Sequence, residues 1–106
     1  MRKLINGKEV ELVTISKLAK MCGRKAATIR KWEFTGILPE ANLRSPDVPL
    51  AGGETRKGFR LYTLDLAVRL STIVKNDIFQ GIEIPQSTLV KIKNLFAEER
   101  TKLGGK

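Results

Sequence analysis

The stretch that decides the fold is VTISKLAKMCGRKAATIRKWEFTG, Val13 to Gly36. It holds two amphipathic segments with a break at Cys22-Gly23-Arg24. Thr14 or Ser16 predicts the N-cap of a first helix running through Met21, because a short side-chain oxygen there accepts from an unpaired backbone N–H. A second helix is predicted from Lys25 to Phe34. Gly36 stands where a left-handed C-terminal residue is wanted, and Pro39 forbids continuation. The spacing between the two is the sharper signal. Ala19 is small where two helices must cross closely, Gly23 supplies the turn, and Ile29 plugs the angle between them. Leu18, Cys22 and Trp32 fill the remaining inward positions, and Phe34 is also assigned to the core. Arg24 is expected to send its stem inward and its charged head outward. The unit predicted is a helix-turn-helix.

On the N-terminal side, Leu4 to Leu12 reads as a hairpin about Asn6-Gly7, both of which tolerate positive φ. Val10 and Leu12 alternate with Glu9 and Glu11, as in a half-buried strand. On the C-terminal side, residues 38–58 contain Pro39, Pro46, Pro49, Gly52, Gly53 and Gly58. This composition predicts a long loop or β-ribbon. Phe59 to Tyr62 returns as a strand, with Phe59 and Leu61 on one side and Arg60 and Tyr62 on the other. A hairpin that follows a helix-turn-helix is a wing. Thr63 caps a third helix that Gly81 should end; Leu66, Leu70, Ile73 and Val74 form its apolar face. A fourth helix begins near Pro85 or Gln86, with a stripe of Leu89, Ile92, Phe96 and Leu103. That stripe suits either internal packing or a seam with a partner helix.

The whole of residues 1–106 therefore reads as one domain, mainly α with small β. It is a winged helix-turn-helix of about four helices, with an N-terminal hairpin (1–12), a helix-turn-helix (14–36), a β wing (38–62) and C-terminal helices (63–103). Charge supports a polyanion as partner. The net charge is +9, and residues 1–60 carry 13 Lys and Arg against 6 Asp and Glu. A basic excess gathered in one part of a chain is the footprint of nucleic-acid binding. Other classes recede. With no His and a single Cys, Cys22, the usual zinc sites and Ser-His or Cys-His nucleophile pairs cannot form, and Cys22 has no partner for an internal disulfide. No catalytic residue, metal or cofactor is expected. No apolar run approaches the roughly 18 residues of a membrane span, and no signal-peptide pattern opens the chain. A cytoplasmic protein is the expectation.

These residues resemble the N-terminal DNA-binding domain of MerR-type regulators. Thr14, Ile15, Leu18 and Ala19 match that family's opening T-I-x-x-L-A. Thr28, Ile29, Arg30, Trp32 and Glu33 match T-I-R-hydrophobic-Y-E. Gly36, Ile37, Leu38 and Pro39 match G-L-L/I-P. Gly58, Phe59, Arg60 and Tyr62 match the wing's G-Y/F-R-x-Y. The match covers about residues 13 to 74. It departs at Lys25, where the family often has a Ser or Thr cap, and at Lys31, where it has a first aromatic. The resemblance implies a winged helix from a phage or bacterium that binds double-stranded DNA and regulates transcription. A homodimer or cooperative oligomer on DNA is the alternative to internal packing of the last helix, since one module gives a small footprint. Excisionases and small terminase subunits are relatives, so a DNA-bending architectural factor and a packaging or partition adaptor are alternatives. A basic protein-interaction module is the reading outside that class.

The expected DNA-binding residues follow. Arg24, Lys25, Arg30 and Lys31 lie on the outer side of the second helix, where a helix in the major groove reaches base edges and phosphates. Arg30 suits bidentate contact with guanine and Lys31 a phosphate. Thr28 suits a phosphate or a thymine methyl. Trp32 either docks on the DNA backbone or packs in the core with its polar edge out. Arg56 and Lys57 on the wing suit a minor groove or backbone. By resemblance Arg60 contacts phosphate, and Tyr62 packs under the wing with its hydroxyl near the surface.

Overall fold

The computed structural model describes residues 2–5, 7–56, 58–79 and 81–104. Among these, four helices combine with a four-stranded antiparallel sheet and a separate two-stranded ribbon. Strand β1 (Arg2–Ile5) pairs antiparallel with β2 (Lys8–Thr14), Ile5 opposite Lys8. Gly7 carries φ +78° in the turn; Asn6, its predicted partner there, lies outside the described residues. Helix α1 (Ile15–Cys22) follows directly. Its N-cap is Thr14, whose hydroxyl accepts from the Lys17 N–H. Gly23 at φ +70° ends it, with the Arg24 N–H on the Ala19 carbonyl at 2.9 Å. Helix α2 (Ala26–Thr35) is closed by Gly36 at φ +87°. The Ile37 and Leu38 N–H groups then bond back to the Trp32 carbonyl. Leu38 is buried in the core.

The segment from 38 to 58 contains β3 (Leu43–Arg44), β4 (Val48–Pro49) and β5 (Thr55–Arg56). β4 and β5 form the ribbon. Its base is pinned to the strand that follows. Ser45 and Phe59 exchange hydrogen bonds, the Gly58 N–H donates to Asp47 Oδ1, and an Arg44 Nη donates to the Gly58 carbonyl. A Cβ at position 58 would fall onto the Ser45 carbonyl, so only glycine permits this approach. Strand β6 (Arg60–Thr63) then runs between β2 and β3, giving the order β1-β2-β6-β3. Val13 sits opposite Tyr62, and Leu43 opposite Leu61.

Helix α3 (Leu64–Asp77) starts from Thr63, whose hydroxyl accepts from the Leu66 N–H. It stops at Ile78, short of the predicted Gly81, which lies in a later turn at φ +78°. Helix α4 (Gln86–Lys102) packs along α3 and covers the core. Its buried face is Thr88, Ile92, Leu95, Phe96 and Glu99; Leu89 and Leu103, expected in the stripe, are only half-buried. The core gathers Leu18, Ala19, Cys22, Ile29, Tyr62, Leu66, Leu70, Val74, Ile92 and Phe96. The Ala19–Gly23–Ile29 spacing does what it predicts: Ala19 is buried, Gly23 turns left-handed, and Ile29 is fully enclosed.

An expectation about β6 is sharpened and one about α2 is corrected. The predicted alternation puts Leu61 and Tyr62 on opposite sides of the strand, yet both are about 1% exposed while Phe59 is half out. β6 is hydrogen-bonded on both edges and buried on both faces at these positions, so alternation carries no polarity there. Phe34, assigned to the core, is 91% exposed.

Candidate functional site

Helix α2 turns about 100° per residue, so a residue five places on lies about 140° round the axis. With Ile29 fixed in the core, the far side of the helix is Ala27, Arg30, Lys31 and Phe34, and all four are exposed. Lys25 is exposed at the N-cap, where its side chain makes no cap bond. Thr28 and Trp32 are half-buried on one flank. They line an open groove of about 940 Å³ together with Lys25, Lys31 and Thr35, and its opposite wall is Ile78, Phe79 and Ile82. Trp32 thus packs against the core, as the second of its two expectations has it, and also lines the groove.

Arg24 also lines the groove, but its head is not free as expected. Its guanidinium donates to the Ile78 carbonyl at 3.1 Å, tying the α1–α2 turn to the end of α3. The last carbonyls of a helix lack intrahelical donors, and a cation there also meets the favourable end of the helix dipole.

Arg60 departs furthest from expectation. Its Nε donates to both carboxylate oxygens of Glu33, at 3.0 and 2.9 Å, and Nη2 adds a third bond at 2.9 Å. Both side chains are largely buried, 23% and 13% exposed. Its hydrogen bonds to Glu33 hold the guanidinium even more firmly protonated than usual. Arg60 is therefore a clamp between β6 and α2. Glu33 is the single carboxylate between Arg24 and Pro39. Neutralised by Arg60, it leaves Lys25, Arg30 and Lys31 as the charges that α2 shows to solvent.

Tyr62 is packed, as expected, but is corrected as a surface, DNA-binding residue. It is about 1% exposed, its ring meeting Phe96 edge-on at 6.3 Å, so it belongs to the core and not to a binding surface. Arg56 is exposed on β5, as a wing cation should be; Lys57 lies outside the described residues. Sequence reasoning missed Phe34 as a surface residue and Glu33 as the partner of Arg60. The first was open to reading from the helical wheel. The second depends on a contact across 27 positions.

Two buried acids bear on stability with pH. Burial pushes the Cys22 thiol up to about 11 from 9.0, and the Tyr62 hydroxyl up to about 12 from 10.0, with the Glu33 charge adding to the latter. Both groups ionise more readily in the unfolded chain. Their contribution is intact below about pH 9 and is lost as pH rises through 11 and 12. Urea midpoints should fall between pH 8 and pH 11, and the Cys22→Ala/Tyr62→Phe double variant should fall less.

No family model, curated protein or solved structure matches this chain. Among the described residues, no group of three or more His, Cys, Asp or Glu is arranged to hold a metal ion, and no helix is long and apolar enough to cross a membrane.

Proposed function

We propose that this chain is a sequence-specific double-stranded DNA-binding protein, a winged helix-turn-helix of MerR-like type that regulates transcription. In this reading α2 enters the major groove and the β4–β5 ribbon lies against the backbone or an adjacent minor groove. The observation that carries it is the outer face of α2. Lys25, Arg30 and Lys31 stand out from a helix whose one carboxylate is paired off by Arg60. A polyanion meets cations there and no exposed carboxylate. On the ribbon Arg56 is exposed as well, two residues from the exposed Glu54.

The mechanism is then one of divided labour. Lys25, Lys31 and Arg56 neutralise phosphates and set the register; Arg30 reaches a base edge. Titrating a random-sequence duplex at increasing salt tests the reading. Three phosphate-contacting cations give a slope of log affinity on log salt of about −3, a loss of about fortyfold from 50 to 200 mM. A chain that ignores duplex DNA at low salt, or binds it without salt dependence, is not of this class.

A further inference from the structure

Phe34 is unexplained by a purely electrostatic interface. At 91% it is the most exposed large hydrophobic residue among those described. It is not at a chain end or a loop tip, but in the last turn of α2 on the outer stripe with Ala27, Arg30 and Lys31. A solvated helix face gains nothing from a bare aromatic ring, and a lysine or glutamate would serve solubility better. The neighbours say what covers it. Lys31 precedes it by three residues and Arg30 by four, so both adjoin it on the helix surface. No exposed carboxylate lies on that stripe. An anionic surface carrying apolar groups is what such a face complements.

Resting on the DNA reading above, the geometry points to Phe34 as a specificity-determining residue that packs on the C5-methyl group of a thymine in the major groove, with Ala27 as a smaller second contact. The methyl group is the one apolar feature of the major-groove edge, and Phe and Ala are side chains that meet it. The spacing fits. Ala27 and Phe34 are seven residues apart, about 10 Å along the axis, which is about three base steps at 3.4 Å. Arg30 and Lys31 fall between them, over the intervening pairs. The stripe then reads apolar, cationic, apolar along the groove.

The test changes the DNA by one methyl group at a time. A duplex selected by the wild-type protein from a random pool is remade with each thymine replaced in turn by deoxyuridine, which keeps every hydrogen-bonding group. Wild type should lose about fourfold at one or two positions, the factor that burying a single methyl supplies. Phe34→Ala should bind the thymine duplex about as weakly as wild type binds the deoxyuridine one, and should no longer distinguish them at the position Phe34 covers. Phe34→Leu should retain part of the discrimination. Each variant's melting temperature and salt slope should match wild type, because the ring supports no packing. Equal affinity of wild type for thymine and deoxyuridine at every position overturns the assignment, as does undiminished discrimination by Phe34→Ala. Duplex binding with either result leaves the DNA reading standing; no duplex binding at all removes both.

Discussion

Replacing Glu99 with alanine is expected to cost about 3 kcal/mol or more of folding stability, which for a domain of this size lowers the melting temperature by roughly 10–20 °C. Glu99 is about 5% exposed on α4. One carboxylate oxygen accepts from both the N–H and the hydroxyl of Thr63, at 3.0 and 2.8 Å. The other accepts from Asn42 Nδ2 at 2.9 Å. The same Thr63 hydroxyl caps α3 by accepting from the Leu66 N–H. The buried charge therefore faces the positive end of α3 and orients its cap. Alanine leaves three donors without that acceptor, two of them on Thr63; Asn42 keeps its bond to the Phe96 carbonyl. Glutamine should cost less, about 1–2 kcal/mol, because it keeps one acceptor oxygen but must point an amide N–H₂ at a donor. The loss should persist at high salt. The exposed ion pairs between α3 and α4, such as Arg69 with Glu98, are worth well under 1 kcal/mol and fade with salt. Urea denaturation at low and high salt checks both points; a loss below about 1 kcal/mol in Glu99→Ala would show that water satisfies those donors.

Glu99 also marks where the sequence stops being legible. The buried stripe of α4 passes from Phe96 to Glu99 at helical spacing, but a carboxylate in a core position can be read only if its donors are known. They sit on Thr63 and Asn42, 36 and 57 residues away. Local signals fare better. The caps at Thr14 and Thr63 and the stops at Gly23 and Gly36 each depend on a few consecutive residues, and each sits where expected. The Ala19–Gly23–Ile29 spacing is legible because two short helices in contact restrict the volume available at their crossing. Alternation leaves the burial of Tyr62 open, since period two tells a wet face from a dry one only when one of them meets water. At Phe34 residue type points inward, while its angle from Ile29 points outward, and the angle wins. Arg60 reads as a free cation because the motif names the arginine and not its partner on α2.

That last point separates two arginines by experiment. Arg30→Ala should leave stability within about 0.5 kcal/mol of wild type, because the side chain is exposed and bears no contact in the core. Its effect falls on binding: about 1–3 kcal/mol, roughly five- to 150-fold, at the one base pair it reads, with other positions unchanged. Arg60→Ala should do the reverse. It removes three hydrogen bonds from a carboxylate that is 13% exposed, and stability should fall by about 2 kcal/mol. Affinity for every duplex should fall alike, because an uncompensated negative charge now sits beneath the binding face. The double variant Arg60→Ala/Glu33→Gln decides the cause. With Arg60 as a clamp, removing the stranded charge restores much of the non-specific affinity, and the remaining deficit is small. With Arg60 as a phosphate contact, Glu33→Gln cannot replace the lost cation, and the double variant binds as weakly as Arg60→Ala. The salt slope distinguishes the two cases independently. It should drop by about one for Lys31→Ala, which loses a phosphate contact, and stay near wild type for the double variant, which loses none.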